Sequence, residues 1–478
     1  MPARTALVGA TALLLTTALT TPALAGHAHH TSRPARTRSA DAHVATRRAV
    51  EAAVAAGVPG ATVTVRDPHG TWSATAGTGD LRTGEPRSPR DRYRIGSMTK
   101  TFVATVLLQL EAEGRLSLDD TVDKWLPGLV RGHGNDGRRI TLRRLLDHTS
   151  GLPNYTQDEE FRAAHLTEDG FRRHRYDTLT PNELVAIALR HAPDFAPGTS
   201  WHYSNTNYVV AGMIIEKVTG HSYATEITRR VIEPLGLRAT SLPGTQATLP
   251  RPAGRAYSTF GDPAGPVYDV TDLDPSLAGS SGEVISDSAD LDRFYGALLG
   301  GRLLPARQLA EMRTTVAIDG APGVRYGLGL MDRRLSCGVH VWTHTGDILG
   351  STSVAAATAD GRHVLALNFN GDWAGDPDAV VEAEFCGDRL RARSGEPAGH
   401  AVVSRGYILS ICTCLPVMST PVTTNPDKTA FSPRTASSVN PPTTAPPAPN
   451  AVSRARPRAC CATSPGSPWR CSGPASTA

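Results

Sequence analysis

Lysine is scarce in this sequence of 478 residues. Among its 49 lysine and arginine residues, only Lys100, Lys124, Lys217 and Lys428 are lysines. The chain therefore uses arginine almost wherever a positive charge is sufficient. A lysine in a chemically suggestive position is more informative here than it would be in a lysine-rich protein.

Other absences each exclude a class of protein. The sequence has no G-x-S-x-G elbow, no H-E-x-x-H motif and no glycine-rich phosphate loop after a strand, which argues against an α/β-hydrolase, a zinc hydrolase and a nucleotide-binding enzyme. The net charge of only +4 predicts no nucleic-acid partner. No apolar run reaches the ~20 residues of a membrane-spanning helix. We therefore expect no metal, no cofactor and no membrane span.

The first 25 residues have the pattern of a secretory signal peptide. Arg4 supplies a thin positive region, residues 6–19 are apolar, and residues 23–25 form an A-x-A cleavage site. The mature protein is therefore expected to be secreted and extracellular, where disulfides persist. In that compartment Cys337 and Cys386 are candidates for a structural bridge, with two buried free thiols as the alternative.

Composition separates a folded region from two flexible ends. Residues 26–40 predict a flexible leader, and the Pro/Ser/Thr/Arg-rich residues 394–478 predict a disordered tail. Strand patterns lie near both ends of the folded region, and helical patterns lie between them. The prediction is an α+β fold: an antiparallel sheet domain flanked by helices (41–114 and 266–393) with an inserted all-helical domain (115–265). A small-molecule site is expected where the two domains meet.

Ser97 and Lys100 form the first candidate catalytic pair. They lie at the head of an apolar run, residues 101–113, that predicts a buried helix. Residues three apart share a helix face, so the amine would lie beside the hydroxyl. A serine hydroxyl needs a neighbouring base to become a nucleophile, and a buried lysine can act as one, whereas arginine cannot. The alternative is a helix-capping serine followed by a solvated lysine.

Two further motifs carry polar groups that suit acyl transfer. Tyr203 and Asn205 are two residues apart and would project to one side of an extended segment. A tyrosine can move a proton and an asparagine can bind a substrate amide. The alternative is a packed tyrosine beside a helix-capping asparagine.

His344 and Thr345, followed by a glycine, are expected to end the strand at 338–343, where the histidine would supply a positive edge. The alternative is an ordinary strand-end turn.

The three motifs, in this order, resemble those of the serine penicillin-recognising enzymes. The resemblance is strongest to the actinomycete extracellular D-alanyl-D-alanine carboxypeptidases, with class C β-lactamases as sister enzymes. It extends over roughly residues 41–390. Further stretches share it, and the positions of Cys337 and Cys386 match a carboxypeptidase disulfide; the stretches are 94–97, 146–152, 203–208 and 326–330.

The resemblance implies a β-lactamase/transpeptidase-like fold and a role for each motif residue. Ser97 would form an acyl-enzyme, and Lys100 and Tyr203 would share the acid and base roles. Asn205 would hold the acyl side chain, while His344 would polarise the tyrosine.

The resemblance also places the substrate on the strand that carries the third motif. Thr345 would bind near the scissile bond. The backbone N–H groups of Ser97 and Asp347 would form the oxyanion hole, in which each donor is commonly worth ~3 kcal/mol.

Three positions depart from the carboxypeptidase pattern. Met331 stands where an arginine would bind the terminal carboxylate of the substrate, although Arg333 and Arg334 are near. Leu277 replaces a tryptophan of the site. Asp347, expected to be exposed, should repel an anionic leaving group.

The predicted function is a secreted, monomeric serine D-alanyl-D-alanine carboxypeptidase that acts on peptidoglycan-type peptides of the cell wall. Two alternatives stay open. One is an esterase, an amidase or a class C-like β-lactamase; the other is a non-hydrolytic penicillin-binding sensor. The substrate would accordingly be a small peptide, an ester or a β-lactam.

Overall fold

The computed structural model describes residues 43–394. The predicted signal peptide, the leader and all but the first residue of the predicted tail lie outside the described residues. So does Asp41, the predicted cap of the first helix.

One antiparallel sheet forms the centre of the described structure. It contains nine strands in the order β10-β11-β12-β13-β14-β15-β1-β2-β3, so the first hairpin pairs with the last strand of the chain. Three two-stranded ribbons (β4–β9, β5–β6 and β7–β8) accompany it. The strands, in chain order, are β1 Gly60–Asp67, β2 Gly70–Asp80, β3 Glu85–Pro86, β4 Tyr93–Arg94, β5 Arg131–Gly132, β6 Asn135–Asp136, β7 Tyr257–Ser258, β8 Tyr268–Asp269, β9 Ile285–Ser286, β10 Val316–Ala317, β11 Val324–Tyr326, β12 Met331–Arg334, β13 His340–Ile348, β14 Ser351–Ala357 and β15 Val364–Phe369.

Helices cover both faces of the sheet and fill most of the chain between β6 and β7. They are α1 Val44–Ala55, α2 Thr99–Ala112, α3 Val122–Trp125, α4 Leu142–Leu146, α5 Glu159–His165, α6 Glu168–His174, α7 Pro181–Ala188, α8 Asn205–Thr219, α9 Tyr223–Ile227, α10 Glu233–Leu235, α11 Ser288–Leu299, α12 Ala306–Met312 and α13 Pro377–Ser394. A π-helical turn, Thr228–Ile232, connects α9 to α10.

Successive strand residues face different hydrophobic cores because side chains alternate across a sheet. On β15, Val364 and Ala366 join the core around α2, whereas Leu365 and Leu367 join the core beneath α1 and α13. Helix α2 is buried almost all round, as its apolar run predicts. Truncating one of its core side chains, such as Phe102, would cost roughly 3–5 kcal/mol.

The predicted sheet with flanking helices is therefore present. The division into domains at residues 114 and 266 stays a prediction, since one hydrophobic core includes residues from both sides of these boundaries.

One strand differs from its prediction in a way that affects the site. The strand expected to end at Thr343 extends to Ile348 as β13 and pairs with β14 along that length. His344 and Thr345 thus lie inside a strand, and the strand-end turn is wrong. Glycine is common in turns, but here the missing side chain of Gly346 lets β13 approach the carbonyl oxygen of Ile95 closely.

A disulfide links Cys337 to Cys386, whose Cα atoms are 5.7 Å apart. It connects the loop between β12 and β13 to helix α13, which packs against α1.

In the described part of the chain, no helix has both the length and the apolarity to cross a lipid bilayer.

Candidate active site

Ser97 lies in a tight 3₁₀ turn, Gly96–Met98, that leads directly into α2. Gly96 has φ +51°, a left-handed conformation that favours glycine. The Thr99 hydroxyl donates to the Gly96 carbonyl at 2.7 Å and helps to fix the turn. The residue that caps α2 is Met98, so Ser97 is not a helix cap.

Lys100 is completely buried. Its Nζ lies 2.9 Å from Ser97 Oγ, 2.7 Å from Asn205 Oδ1 and 2.8 Å from the Ser281 carbonyl oxygen. A solvated lysine is therefore excluded. The two carbonyl oxygens can only accept hydrogen bonds, so each takes one N–H of the amine. Ser97 Oγ lies within hydrogen-bond distance of the same nitrogen, as a general base for Ser97 requires.

Tyr203 and Asn205 reach the same amine from the start of α8. The Tyr203 ring centroid is 4.8 Å from Lys100 Nζ. Asn205 is the first residue of α8, and its side chain binds Lys100 instead of capping the helix. Its amide nitrogen, 3.4 Å from Thr156 Oγ1, is the end that can donate to a substrate. Three segments distant in sequence therefore meet at one amine.

Two glycines allow β13 to approach the serine turn closely. A methyl group on Gly96 would lie 2.8 Å from the backbone nitrogen of Asp347, and one on Gly346 would lie 1.8 Å from the Ile95 carbonyl oxygen. Neither distance is compatible with a real side chain. The backbones of Ser97 and Asp347, which were predicted to form the oxyanion hole, are thus brought side by side.

His344 is neutral, which corrects the predicted positive edge. It is buried, and burial, together with the charge of Lys100, lowers its pKa to about 3. Its Nδ1 lies 2.6 Å from the Thr345 carbonyl oxygen, an acceptor, so Nδ1 carries the proton. Its Nε2 must then accept, and Tyr326 Oη, at 2.9 Å, is the donor. Sequence alone could not predict this, because the burial comes from packing with distant segments.

His148 continues this chain of hydrogen bonds with the opposite tautomer. Its Nδ1 accepts from the backbone N–H of Ser204 at 3.2 Å and from Asn207 Nδ2 at 3.0 Å. Its Nε2 therefore carries the proton and donates to Tyr326 Oη at 3.2 Å. Burial lowers the pKa of His148 well below its ordinary value and raises that of Tyr326 well above its own. We call His148, Tyr326 and His344 the imidazole relay; each of its polar atoms has a partner.

The imidazole relay connects the segment before α8 to strand β13. The His148 ring also packs against that of Tyr203, at 4.2 Å between centroids. The segment before α8 and strand β13 are therefore held in fixed relation by Tyr326, which comes from β11.

The positions that depart from the carboxypeptidase pattern are mostly apolar or already paired. Met331 is buried in a cluster with Tyr203 and Tyr326. Arg333 binds Asp378 of α13, and Arg334 is exposed. Neither arginine occupies the position of Met331.

Leu277 is buried, and its carbonyl oxygen accepts from Tyr155 Oη at 2.8 Å.

Asp347 is exposed at the serine-facing part of β13, as predicted. Although solvent reaches it, desolvation by the surrounding protein, together with Asp372 and Asp378, raises its pKa to about 6. The carboxyl group therefore gains its charge between pH 5 and 7. Thr345, two residues before Asp347 on β13, is half-buried.

The sequence did not identify three residues that help to build the site: Ser281, His148 and Tyr326. His148 and Tyr326 lie inside two of the stretches that share the family resemblance, 146–152 and 326–330, and this resemblance could have identified them as site residues. Ser281 acts through its backbone carbonyl, which no side-chain motif reveals. Within residues 43–394, no group of three or more His, Cys, Asp or Glu side chains is arranged to hold a metal.

Comparison with known proteins agrees with this geometry. The family described as Beta-lactamase matches residues 46–383. "Penicillin-binding protein 4" of Amycolatopsis lactamdurans is 31% identical over 72% of this chain and 86% of its own. "Penicillin-binding protein 4*" of Bacillus subtilis is 27% identical over 62% of this chain, and the match spans only 64% of that relative.

Two similar solved structures are those of amide hydrolases. A D-stereospecific amidohydrolase from Streptomyces sp. is 58% identical, with a TM-score of 0.69 over 72% of this chain and 99% of that one. A D-amino acid amidase from Ochrobactrum anthropi SV3, in complex with L-phenylalanine amide, is 30% identical, with a TM-score of 0.63 over 73% of this chain and 99% of that one. With this fold and these matches, the chain belongs to the beta-lactamase family of serine hydrolases, which includes penicillin-binding proteins and D-amino acid amidases.

Proposed function

We propose that this protein is a secreted amidohydrolase that cleaves primary amides of D-amino acids, whose leaving group is uncharged, through an acyl-enzyme on Ser97. The observation that carries the proposal is the fixed geometry of Lys100, whose amine binds two carbonyl oxygens and lies 2.9 Å from the hydroxyl of Ser97.

In the proposed reaction Lys100 takes the proton of Ser97 Oγ as that oxygen attacks the substrate carbonyl carbon. The negative charge on the carbonyl oxygen is stabilised by the backbone N–H groups of Ser97 and Asp347. The C–N bond breaks, and the proton passes to the leaving amine through Lys100 and Tyr203, which releases ammonia. Water then attacks the ester, and its proton returns to Ser97 as the acid leaves.

The preference for an uncharged leaving group follows from the charges near β13. An anionic leaving group would need a cation, but Met331 is apolar and Arg333 is paired with Asp378. The Asp347 carboxylate would oppose a second negative charge. The D configuration is proposed from the similarity to the Streptomyces amidohydrolase.

A substrate panel analysed by mass spectrometry tests the proposal. The panel contains the D and L forms of phenylalanine amide, an acylated peptide ending in D-Ala-D-Ala, a neutral ester and a penicillin, with Ser97→Ala as the control enzyme. The D-amide should turn over fastest, with no turnover by the control. Faster release of D-alanine, or equal rates for the two enantiomers, would contradict it.

A D-alanyl-D-alanine carboxypeptidase acting on cell-wall peptides is the second candidate, supported by the similarity to penicillin-binding proteins. The same panel distinguishes it, because it predicts the D-Ala-D-Ala peptide as the fastest substrate. A penicillin adduct that persists while every other substrate is left intact would instead indicate a sensor.

Secretion and a monomeric state are part of the proposal. The signal-like pattern of residues 1–25 and the disulfide support export. Protein recovered from the culture medium should begin at Gly26 and elute as a monomer. Retention of the first 25 residues in the recovered protein would contradict cleavage at this position.

A further inference from the structure

A groove of about 530 Å³ lies between the β4 segment and the start of α11. Its volume is in the range of small-molecule sites. Four of its lining residues are arginines: Arg90, Arg92, Arg238 and Arg293. Ser97, Lys100 and Tyr203 are not among the residues that line the groove, so it is separate from the candidate active site.

Two of these arginines already have partners. Arg92 donates to the backbone carbonyl oxygens of Arg251 at 2.8 Å and Arg238 at 3.3 Å. Neutral carbonyl groups orient the guanidinium but do not cancel its charge. Arg293 pairs with Asp290 at 2.8 Å and also donates to a carbonyl oxygen.

The side chains of Arg90 and Arg238 are exposed and have no hydrogen bond or ion pair within residues 43–394. Each presents a planar fork of donors suited to two oxygens of one anion.

Helix α11 adds a third feature. Its twelve residues begin at the groove, where Ala289 of the first turn is a lining residue. Free backbone N–H groups and the helix dipole give such an end a partial positive charge. The carboxylate of Asp287 caps the helix by accepting from the Asp290 backbone N–H at 2.8 Å, so part of this charge is already neutralised.

The charge balance selects the ligand. Four arginines and the two carboxylates of Asp287 and Asp290 leave a local charge of about +2. A long polyanion would meet the two carboxylates as well as the arginines, whereas a compact dianion needs only the two arginines of the same groove that are unpaired within residues 43–394, Arg90 and Arg238.

We propose that this groove binds a small dianion of the phosphate monoester class, held by the guanidinium groups of Arg90 and Arg238 against the start of α11. The proposal is independent of the substrate cleaved at Ser97.

Calorimetric titration with glycerol phosphate tests the proposal on the double variant Arg90→Gln/Arg238→Gln. The matched control is Arg48→Gln/Arg302→Gln, which removes the same charge from exposed arginines elsewhere on the surface. Affinity should fall roughly tenfold or more in the groove variant, since two charge-assisted pairs are lost, and stay within about twofold in the control. Hydrolysis should be unchanged in both. An equal loss in the two variants would overturn the proposal.

Three further probes identify the ligand chemistry. Inorganic phosphate distinguishes a free ion from an ester, and tighter binding of the ester supports the proposal. Dimethyl phosphate carries one charge and should bind more weakly than glycerol phosphate. Affinity for glycerol phosphate should rise between pH 5 and 7, as its second proton is lost near pH 6. Binding of long-chain polyphosphate alone, with a steep salt dependence, would overturn the proposal in favour of a polyanion surface.

Discussion

The two sides of the candidate active site differ in how they are built. On the helical side, Ser97, Lys100 and Asn205 are joined by short hydrogen bonds around one buried amine. On the strand side, β13 brings backbone groups, a neutral histidine and the titratable carboxyl group of Asp347.

This difference separates reaction type from substrate choice. The helical side has the base and the nucleophile that any acyl transfer on a serine requires. The strand side would decide which leaving group is tolerated, and within residues 43–394 the apolar Met331 stands where a cation would be expected to bind a terminal carboxylate. A protein can therefore keep the chemistry of a penicillin-recognising enzyme and act on other amides.

The largest expected effect comes from the helical side. Ser97→Ala removes the nucleophile and should lower kcat/KM by roughly 10⁴–10⁶-fold. Labelling by a fluorescent penicillin should disappear, as seen on a gel. Labelling that persists at full intensity would show that another residue is acylated.

Replacing Lys100 tests whether the amine acts as a base or only as a charge. Lys100→Arg keeps the positive charge but cannot deprotonate, so kcat should fall by about 10²–10⁴-fold. Lys217→Arg, at an exposed position, is the matched control and should be fully active. Activity retained in the Lys100 variant would assign the base role elsewhere, with Tyr203 as the next candidate.

The imidazole relay is expected to matter less, because its three side chains are buried and bind one another rather than the nucleophile. Tyr326→Phe removes both the donor to His344 and the acceptor for His148. We expect kcat to fall by roughly tenfold with KM nearly unchanged, and the free energy of unfolding to fall by about 1–3 kcal/mol. Tyr176→Phe, on an exposed ring, is the control. If stability falls while kcat is unchanged, the relay contributes to folding and not to catalysis.

The smallest effect concerns Asp347 and selectivity. Because its pKa is about 6, the group is neutral at pH 5 and charged at pH 7. The kcat/KM ratio of a neutral amide to a peptide with a terminal carboxylate should therefore rise roughly threefold as pH increases from 5 to 7. Asp347→Asn should flatten this pH dependence, and Asp360→Asn, in an exposed turn, should leave it intact. A persisting rise in the Asp347 variant would mean that another group governs selectivity.

On the helical side, the placement of Ser97 beside Lys100 could be predicted because that information is local, whereas the contacts of Lys100 with Asn205 and Ser281 arise only on folding. The i, i+3 spacing of Ser97 and Lys100 and the apolar run behind them fix a geometry that one helix can express. The fold class followed from the same kind of pattern, since strand-like segments flank a helical stretch.

The strand side could not be predicted in the same way. The neutrality of His344 depends on Tyr326 and His148, which come from other elements. The role of Gly346 depends on the carbonyl group of Ile95, which lies 251 residues earlier in the sequence and which only folding brings into contact with it. Long-range packing, not local propensity, decides both.

The burial of Lys100 in a lysine-poor chain has a practical consequence. Reagents that couple to amines would meet Lys124 and Lys217 on the surface of the described structure but would not reach Lys100. The enzyme could thus be attached to a solid support through its surface lysines, and Ser97 and Lys100 would remain unmodified.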